Sequence, residues 1–180
     1  MNPGVDIVVA TRPIRPDDRA RFCRLWPRLS AETIYRRFHA PVHRLPDETV
    51  RYLVTVDHDL REAVVAELGD EVIGVARYDR PAADPSTAEI AVVVEDGWQG
   101  AGVGRQLLAT LTSLAARRGV RTLTATVQPD NAPALGLVRR LLPGSTVTPD
   151  DDVLTVSSPL DPQPVSPTPR PASSLATAAR

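Results

Sequence analysis

The chain has 180 residues, with 21 basic side chains against 22 acidic ones and a formal net charge of −1. That length suits one well-packed domain and is short for two, and the near-neutral balance gives no bulk attraction to nucleic acid or an anionic membrane. The single cysteine, Cys23, excludes an intramolecular disulfide framework and suits a reducing, cytoplasmic setting.

No apolar run reaches transmembrane length, and Met1-Asn2-Pro3-Gly4 does not open like a secretory signal. Val5 to Ala10 reads as a short apolar strand continuing toward Arg12-Pro13-Ile14-Arg15. Pro13 and Pro16 lack ladder donors, which puts this strand at a sheet edge. Asp17 or Asp18 then caps a helix carrying Phe22, Cys23, Leu25 and Trp26, with Cys23 expected to pack inside it. Pro27 breaks or kinks that helix, and Ser30 is placed to cap a second one over Ala31 to Phe38. After a loop bracketed by Pro41 and Pro46, Asp47-Glu48 opens a third short helix through Leu53, its acids complementing the N-terminal dipole.

Arg61 to Leu68 and Glu71 to Tyr78 are strand-like, and Gly69-Asp70 between them reads as a tight hairpin. A polar loop from Pro81 to Thr87 leads to a central strand through Ala88 to Val94. Its β-branched Val92-Val93-Val94 favours a strand covered on both faces. Beyond the glycine-rich turn Gln99-Gly100-Ala101-Gly102-Val103-Gly104, the spacing of Leu107, Leu108, Leu111, Leu114 and Ala115 gives a helical stripe, closed by Gly119. Arg121 to Val127 alternates as a strand, Asn131 caps a further helix ended by Pro143-Gly144, and Asp152 to Ser158 is a last strand. The order predicts an α+β domain over residues 8–158, with a central, mostly antiparallel mixed sheet flanked by helices and one crossover. Residues 159–180 are rich in Pro, Ser and Ala and poor in large apolar side chains, which predicts a disordered tail with polyproline character.

The glycine-rich turn carries the chemistry. Glycines there let the backbone adopt positive φ and approach a ligand closely. Amides converge on one point, backed by the positive end of the helix dipole, which suits a pyrophosphate. No Lys-Ser or Lys-Thr follows, so the P-loop pattern fails, and Arg105-Gln106-Leu107 after Gly104 breaks the dinucleotide-binding pattern. The bland alternative is a turn that merely joins strand to helix.

Gln99-x-x-Gly102-x-Gly104 resembles the acyl-CoA-binding signature of the GNAT acyltransferase superfamily, and the element order resembles its fold across most of the chain. Arg12-Pro13-Ile14-Arg15-Pro16-Asp17-Asp18 is similar to its first strand and helix cap, and Val127-Gln128-Pro129-Asp130-Asn131 to its fifth strand and the asparagine after it. Leu29 to Phe38, Asp57-His58-Asp59 and Gly74-Val75-Ala76-Arg77-Tyr78 resemble the catalytic domain of bacterial protein lysine acetyltransferases. Some of those are fused to acyl-CoA synthetase-like or cyclic-nucleotide-binding modules, for which 180 residues leave no room.

The resemblance implies acetyl-CoA as donor, an amine acceptor such as a protein lysine on an acyl-CoA synthetase, no metal, and a monomer or homodimer. It implies that Val92, Val93 and Val94 offer backbone groups to the pantetheine arm and the thioester oxygen. Gln99, Gly100, Ala101, Gly102, Val103 and Gly104 would hold the pyrophosphate, with Arg105 as an added cation. Asn131 would contact the donor or serve purely as a helix cap. Glu89 matches the family's general base, and burial among apolar neighbours is expected to raise its pKa; Glu95 and Asp96 are weaker candidates. The tyrosine that many members use to protonate the departing thiolate has no counterpart in Leu137-Val138-Arg139-Arg140. His39 and His43 lack companions for a metal set, and Pro41 stands between them. Acetylation of a small amine and a non-catalytic acyl-CoA sensor remain the alternatives.

Overall fold

A computed structural model describes residues 9–161. Seven strands form one sheet in the order β1-β2-β3-β4-β5-β7-β6. They span Ala10–Pro13 (β1), Arg61–Leu68 (β2), Glu71–Asp79 (β3), Thr87–Val94 (β4), Thr122–Val127 (β5), Thr146–Asp150 (β6) and Val153–Pro159 (β7). All neighbours pair antiparallel except β4 and β5, which are parallel. The helices are α1 (Arg19–Leu25), α2 (Ala31–Phe38), α3 (Asp47–Val54), α4 (Val103–Arg117) and α5 (Ala132–Leu141).

The expected architecture is present, with one strand more. The sequence assigns no element between Pro143-Gly144 and Asp152, whereas Thr146–Asp150 pairs with β7 as the edge strand β6. Its run Thr-Val-Thr-Pro-Asp is exposed except at Val147, so no apolar alternation announces it. The first strand lies later than expected: β1 begins at Ala10, and residues 5–8 of the predicted strand lie outside the described residues. Its edge position is as the prolines require. Most of the predicted tail also lies outside the described residues.

Two helical layers cover the sheet. On one face Leu107, Leu108, Leu111 and Ala115 of α4 pack with Val138 of α5 against Val64, Ala76, Tyr78 and Ile90. On the other, Phe22 and Leu25 of α1, Ile34 of α2 and Val50 and Leu53 of α3 meet Val65, Val72 and Val75. At about 25 cal/mol per Å² of apolar surface removed from water, these two cores are the main favourable term for the fold. A bulge sets how closely α4 can lie. Ala66 pairs with Gly74 but Glu67 pairs with Val72, leaving Ile73 over. A Cβ on Gly74 would stand 3.0 Å from Leu107 Cδ1 and 3.1 Å from the Val93 carbonyl oxygen, so a side chain there would press on both α4 and β4.

The helix caps follow the sequence closely. The Ser30 hydroxyl accepts from the Thr33 amide at 3.1 Å, and Gly119, with φ of 81°, ends α4. Asp18 behaves differently from its expected capping role. It is 2% exposed, accepts from the Arg15 amide at 2.8 Å and takes both terminal nitrogens of Arg12 at 2.7 Å. It thus ties β1 to the start of α1. Cys23 lies on the outer side of α1 and is exposed rather than packed.

Candidate active site

The site begins where two strands part. β4 and β5 are in register only from Thr87↔Thr122 to Glu89↔Thr124. Beyond Glu89, Ile90 to Val94 have β3 on one side only, and Ala125 to Val127 of β5 pair only with β7. Backbone groups along that gap have no ladder partner and must meet water or a ligand. Val92, Val93 and Val94 are therefore half-buried, not covered on both faces as the β-branched run suggested. The departure has a physical cause: a parallel ladder that forks leaves an open wedge beside the strand.

The glycine turn closes the wide end of this wedge. Gly100 and Gly102 have φ of 77° and 86°, a region only glycine enters at little cost. Gly102 is the N-cap of α4 and supplies no side-chain cap. Three amides nearby are already spent on local turns: Trp98 donates to the Glu95 carbonyl, Gln99 to Asp96 and Ala101 to Trp98. Among the described residues, the amides of Gly100, Gly102, Val103, Gly104 and Arg105 have no such partner. A Cβ built on Gly100 or Gly102 would meet nothing within 4 Å, so the cradle is open and suits a pyrophosphate. Gln99 contributes differently from expectation. Its side chain donates to the Val94 carbonyl at 3.1 Å and to Thr33 Oγ1 at 3.1 Å, pinning the turn instead of pointing into it.

A groove of about 590 Å³ runs from this turn along Val92 to Val94 and is bounded across the gap by Asn131, the cap of α5, and by Ala134 and Leu137 of that helix. It carries Arg36, Arg37, Arg105 and Arg140 and no acidic side chain. A second cavity of about 200 Å³ continues toward the fork, past Glu89, Ile90 and Ala91, with Arg37 and His39 on the α2 side. Asn131 serves both as cap, accepting from the Ala134 amide at 3.2 Å, and as part of the wall of both cavities. Gly104 lets α5 approach: a Cβ there would come within 3.3 Å of Leu137 Cδ2.

Glu89 stands at the fork, in register with Asp79 on β3 and Thr124 on β5. It is exposed, which corrects the expectation of a carboxyl buried among apolar neighbours. The cause is the same forking that opens the gap. Glu95 and Asp96 act as anchors. Arg28 Nε donates to Glu95 at 3.0 Å. Asp96 accepts from the Ser30 amide at 2.9 Å, the Ser30 hydroxyl at 2.7 Å and the Thr33 hydroxyl at 2.9 Å. Burial works against the Asp96 charge, but these hydrogen bonds outweigh it and hold its pKa below the ordinary carboxylate value. Asp96 fastens the start of α2, and Glu95 the turn before it, to the segment ahead of the glycine turn.

His39 meets Gln128 at 2.9 Å through Nδ1, and Trp26 Nε1 donates to the His43 carbonyl at 3.3 Å. Among the described residues no three potential ligands cluster as a metal site would require. Sequence reasoning missed the arginines of α2 and α5. Arg36, Arg37 and Arg140 sit on helices whose faces are set only by packing, and nothing in their spacing marks them as facing the gap. α5 carries no tyrosine, as its sequence shows.

The comparisons with known proteins agree with this geometry. The model of the acetyltransferase (GNAT) family matches residues 25–142. The acetyltransferase Pat of Mycolicibacterium smegmatis is 34% identical over 133 residues, 72% of this chain but only 39% of that protein. The chain therefore spans about two-fifths of that relative's length. The crystal structure of the GNAT domain of PAT from S. lividans superposes with a TM-score of 0.79 at 32% identity, covering 84% of this chain and 90% of that one. At the level of fold alone, yncA of Salmonella typhimurium, solved with acetyl-CoA, matches with a TM-score of 0.70 at 21% identity, over 87% of this chain and 96% of that one. With the signature turn, the forked strands and the family model all falling on the same residues, the chain belongs to the GNAT family of acetyltransferases, which use acetyl-CoA as donor.

Proposed function

We propose that the chain transfers an acetyl group from acetyl-CoA to the side-chain amine of a protein lysine, with Glu89 as the general base. The observation that carries this reading is the fork itself. Unpartnered β4 backbone leads from a free-amide turn at one end to a carboxylate at the other. Acetyl-CoA supplies an activated acyl group, held as a thioester.

The residues divide the work along the wedge. The amides of Gly100 and Gly102 to Arg105 would receive the pyrophosphate, helped by the α4 dipole and the Arg105 charge. Val92 to Val94 would hold the extended arm through main-chain hydrogen bonds. Glu89 would take the proton from the acceptor ammonium, directly or through water, so that the amine lone pair can form the new C–N bond as C–S breaks. An exposed carboxylate can do this where the incoming acceptor itself removes the water. The leaving thiolate would take its proton from solvent, since α5 offers no hydroxyl in the tyrosine position. The protein-lysine acceptor is supported by the likeness to the two Pat proteins, one of them matched over 90% of its GNAT domain.

The test is thiol release from acetyl-CoA across a panel of proteins and small amines, comparing wild type with Glu89→Gln. Turnover with lysine-bearing proteins, lost in the variant while acetyl-CoA still binds, supports the reading. Turnover only with small amines replaces the acceptor, and binding without transfer to anything makes the chain a sensor.

A further inference from the structure

Arg37 is left with an unbalanced charge at the junction of the two cavities. It lies on α2 and lines the donor groove, the cavity beside Glu89 and a small apolar pocket beneath α1. It is half-buried, yet among the described residues it makes no ion pair and no side-chain hydrogen bond, only stacking on the Phe38 ring at 4.7 Å. Burial and then the like charge of Arg77 lower its pKa to about 10, against the pull of Asp79 and Glu89. At neutral pH it is still a cation.

The neighbouring charges are already engaged. Arg36 pairs with Glu32 at 2.6 Å. Asp79 is shared between Arg77 at 3.0 Å and Arg61 at 3.4 Å. Arg77, only 5% exposed, is in cross-strand register with Ala91, and Asp79 with Glu89. With Arg36 balanced by Glu32, Arg37, Arg61 and Arg77 stand against Asp79 and Glu89, and neither carboxylate hydrogen-bonds Arg37. A partly desolvated guanidinium without a bonded partner is costly unless an anion completes it.

That anion is not a phosphate of the donor. The cavity that Arg37 shares with Glu89 is lined by no residue of the glycine turn, so an anion seated there lies away from the pyrophosphate cradle. An acetyl group carries no charge. The remaining source is the acceptor.

Resting on the reading of Glu89 as the base, we propose that Arg37 is a specificity-determining residue that receives a carboxylate placed next to the acceptor amine. Glu89 would then face the ammonium and Arg37 the carboxylate of one zwitterionic fragment. The fork geometry of a guanidinium suits a carboxylate in a bidentate manner. An acidic residue beside the acceptor lysine and the α-carboxylate of a free amino acid share this chemistry.

The experiment uses the full 180-residue chain with acetyl-CoA. Acceptors come in isosteric pairs: a lysine peptide with neighbouring Glu or Gln, and a free amino acid or its amide. Each pair is measured by kcat/KM and, independently of turnover, by calorimetric binding to the CoA-loaded protein. In the wild type the carboxylate member should win by at least about tenfold, the scale of a charged hydrogen bond. In Arg37→Gln the ratio should fall to within about twofold, with Arg37→Lys between the two. The pair that responds identifies the source. A wild-type ratio near one in both measurements overturns the proposal, and so does the same ratio in Arg37→Gln. A preference for succinyl-CoA over acetyl-CoA with no response to the acceptor's carboxylate also overturns it, by giving Arg37 to the donor. Should Arg37→Gln fail to fold, the ratio in Arg37→Lys against wild type decides. Should no acceptor be acetylated while the binding ratio holds, the function of Glu89 falls and the assignment of Arg37 stands.

Discussion

Glu89 and Thr124 form the last pair of the parallel ladder between β4 and β5, and the strands separate immediately after them. The carboxylate therefore sits at the closed end of the gap and the glycine turn at the open end. Replacing Glu89 with Gln keeps the shape and removes the carboxylate proposed as the base. The expected result is a fall in kcat of about 10²-fold or more, within the range for general base catalysis, with acetyl-CoA affinity unchanged within about twofold. Stopped-time thiol assays and calorimetry on the same preparation read both quantities.

Gly104 and Leu137 couple the cradle to α5. A Cβ at residue 104 would lie 3.3 Å from Leu137 Cδ2, so Gly104→Ala should push α5 outward and weaken acetyl-CoA binding several-fold. Adding Leu137→Ala restores the space. The two changes should be non-additive by about 0.5–1 kcal/mol in a binding double-mutant cycle. Additive effects would mean that the close approach has no bearing on the groove.

Gly102 tests conformation instead of space. Its Cβ would meet nothing, but its φ is 86°. Gly102→Ala should cost about 1–2 kcal/mol from the left-handed backbone alone. It should weaken acetyl-CoA binding more than it lowers the melting temperature, because an alternative turn spares the core and misaims the amides.

The Asp96 clamp predicts an acid-sensitive site. Its folded-state pKa is depressed, so its contribution is fully present above the unfolded value near pH 4 and is lost as pH falls through the lower folded value. The same sign holds for Asp18, whose pKa is lowered chiefly by the Arg12 side chain. Asp96→Asn should lower stability at pH 7 by on the order of 1 kcal/mol, discounted for its exposure, and flatten the loss of stability below pH 4. Thermal melts at pH 3 to 7 check it.

Leu107 is fully buried between α4 and the sheet. Leu107→Ala should cost about 2–5 kcal/mol, with chemical denaturation as the measure. Because its Cδ1 fills the space that Gly74 leaves, the cost belongs at the upper part of that range.

Local chemistry made much of this protein legible in its residues. Ser30 before Ala31-Glu32-Thr33, Asn131 before a proline-led helix and Gly119 after Arg117-Arg118 each fix a helix end through a hydrogen bond or a φ value that depends only on near neighbours. The same holds for the hairpin at Gly69-Asp70 and for the glycines at 100 and 102, whose positive φ is a property of the turn they form. The mostly antiparallel sheet with one crossover follows from the order of the elements.

What the chain order could not fix were distances across the fold. The edge strand β6 exists only because β7 offers a partner, since its polar run has no pattern of its own. The exposure of Glu89 depends on where a ladder between two strands more than thirty residues apart in sequence stops pairing. Arg37 faces the gap because α2 is fastened by Ser30 and Thr33 to Asp96, sixty-odd residues later in the chain. Turns and caps are decided within a few residues, whereas a cleft is decided by which backbone edges go unpaired once everything else has packed.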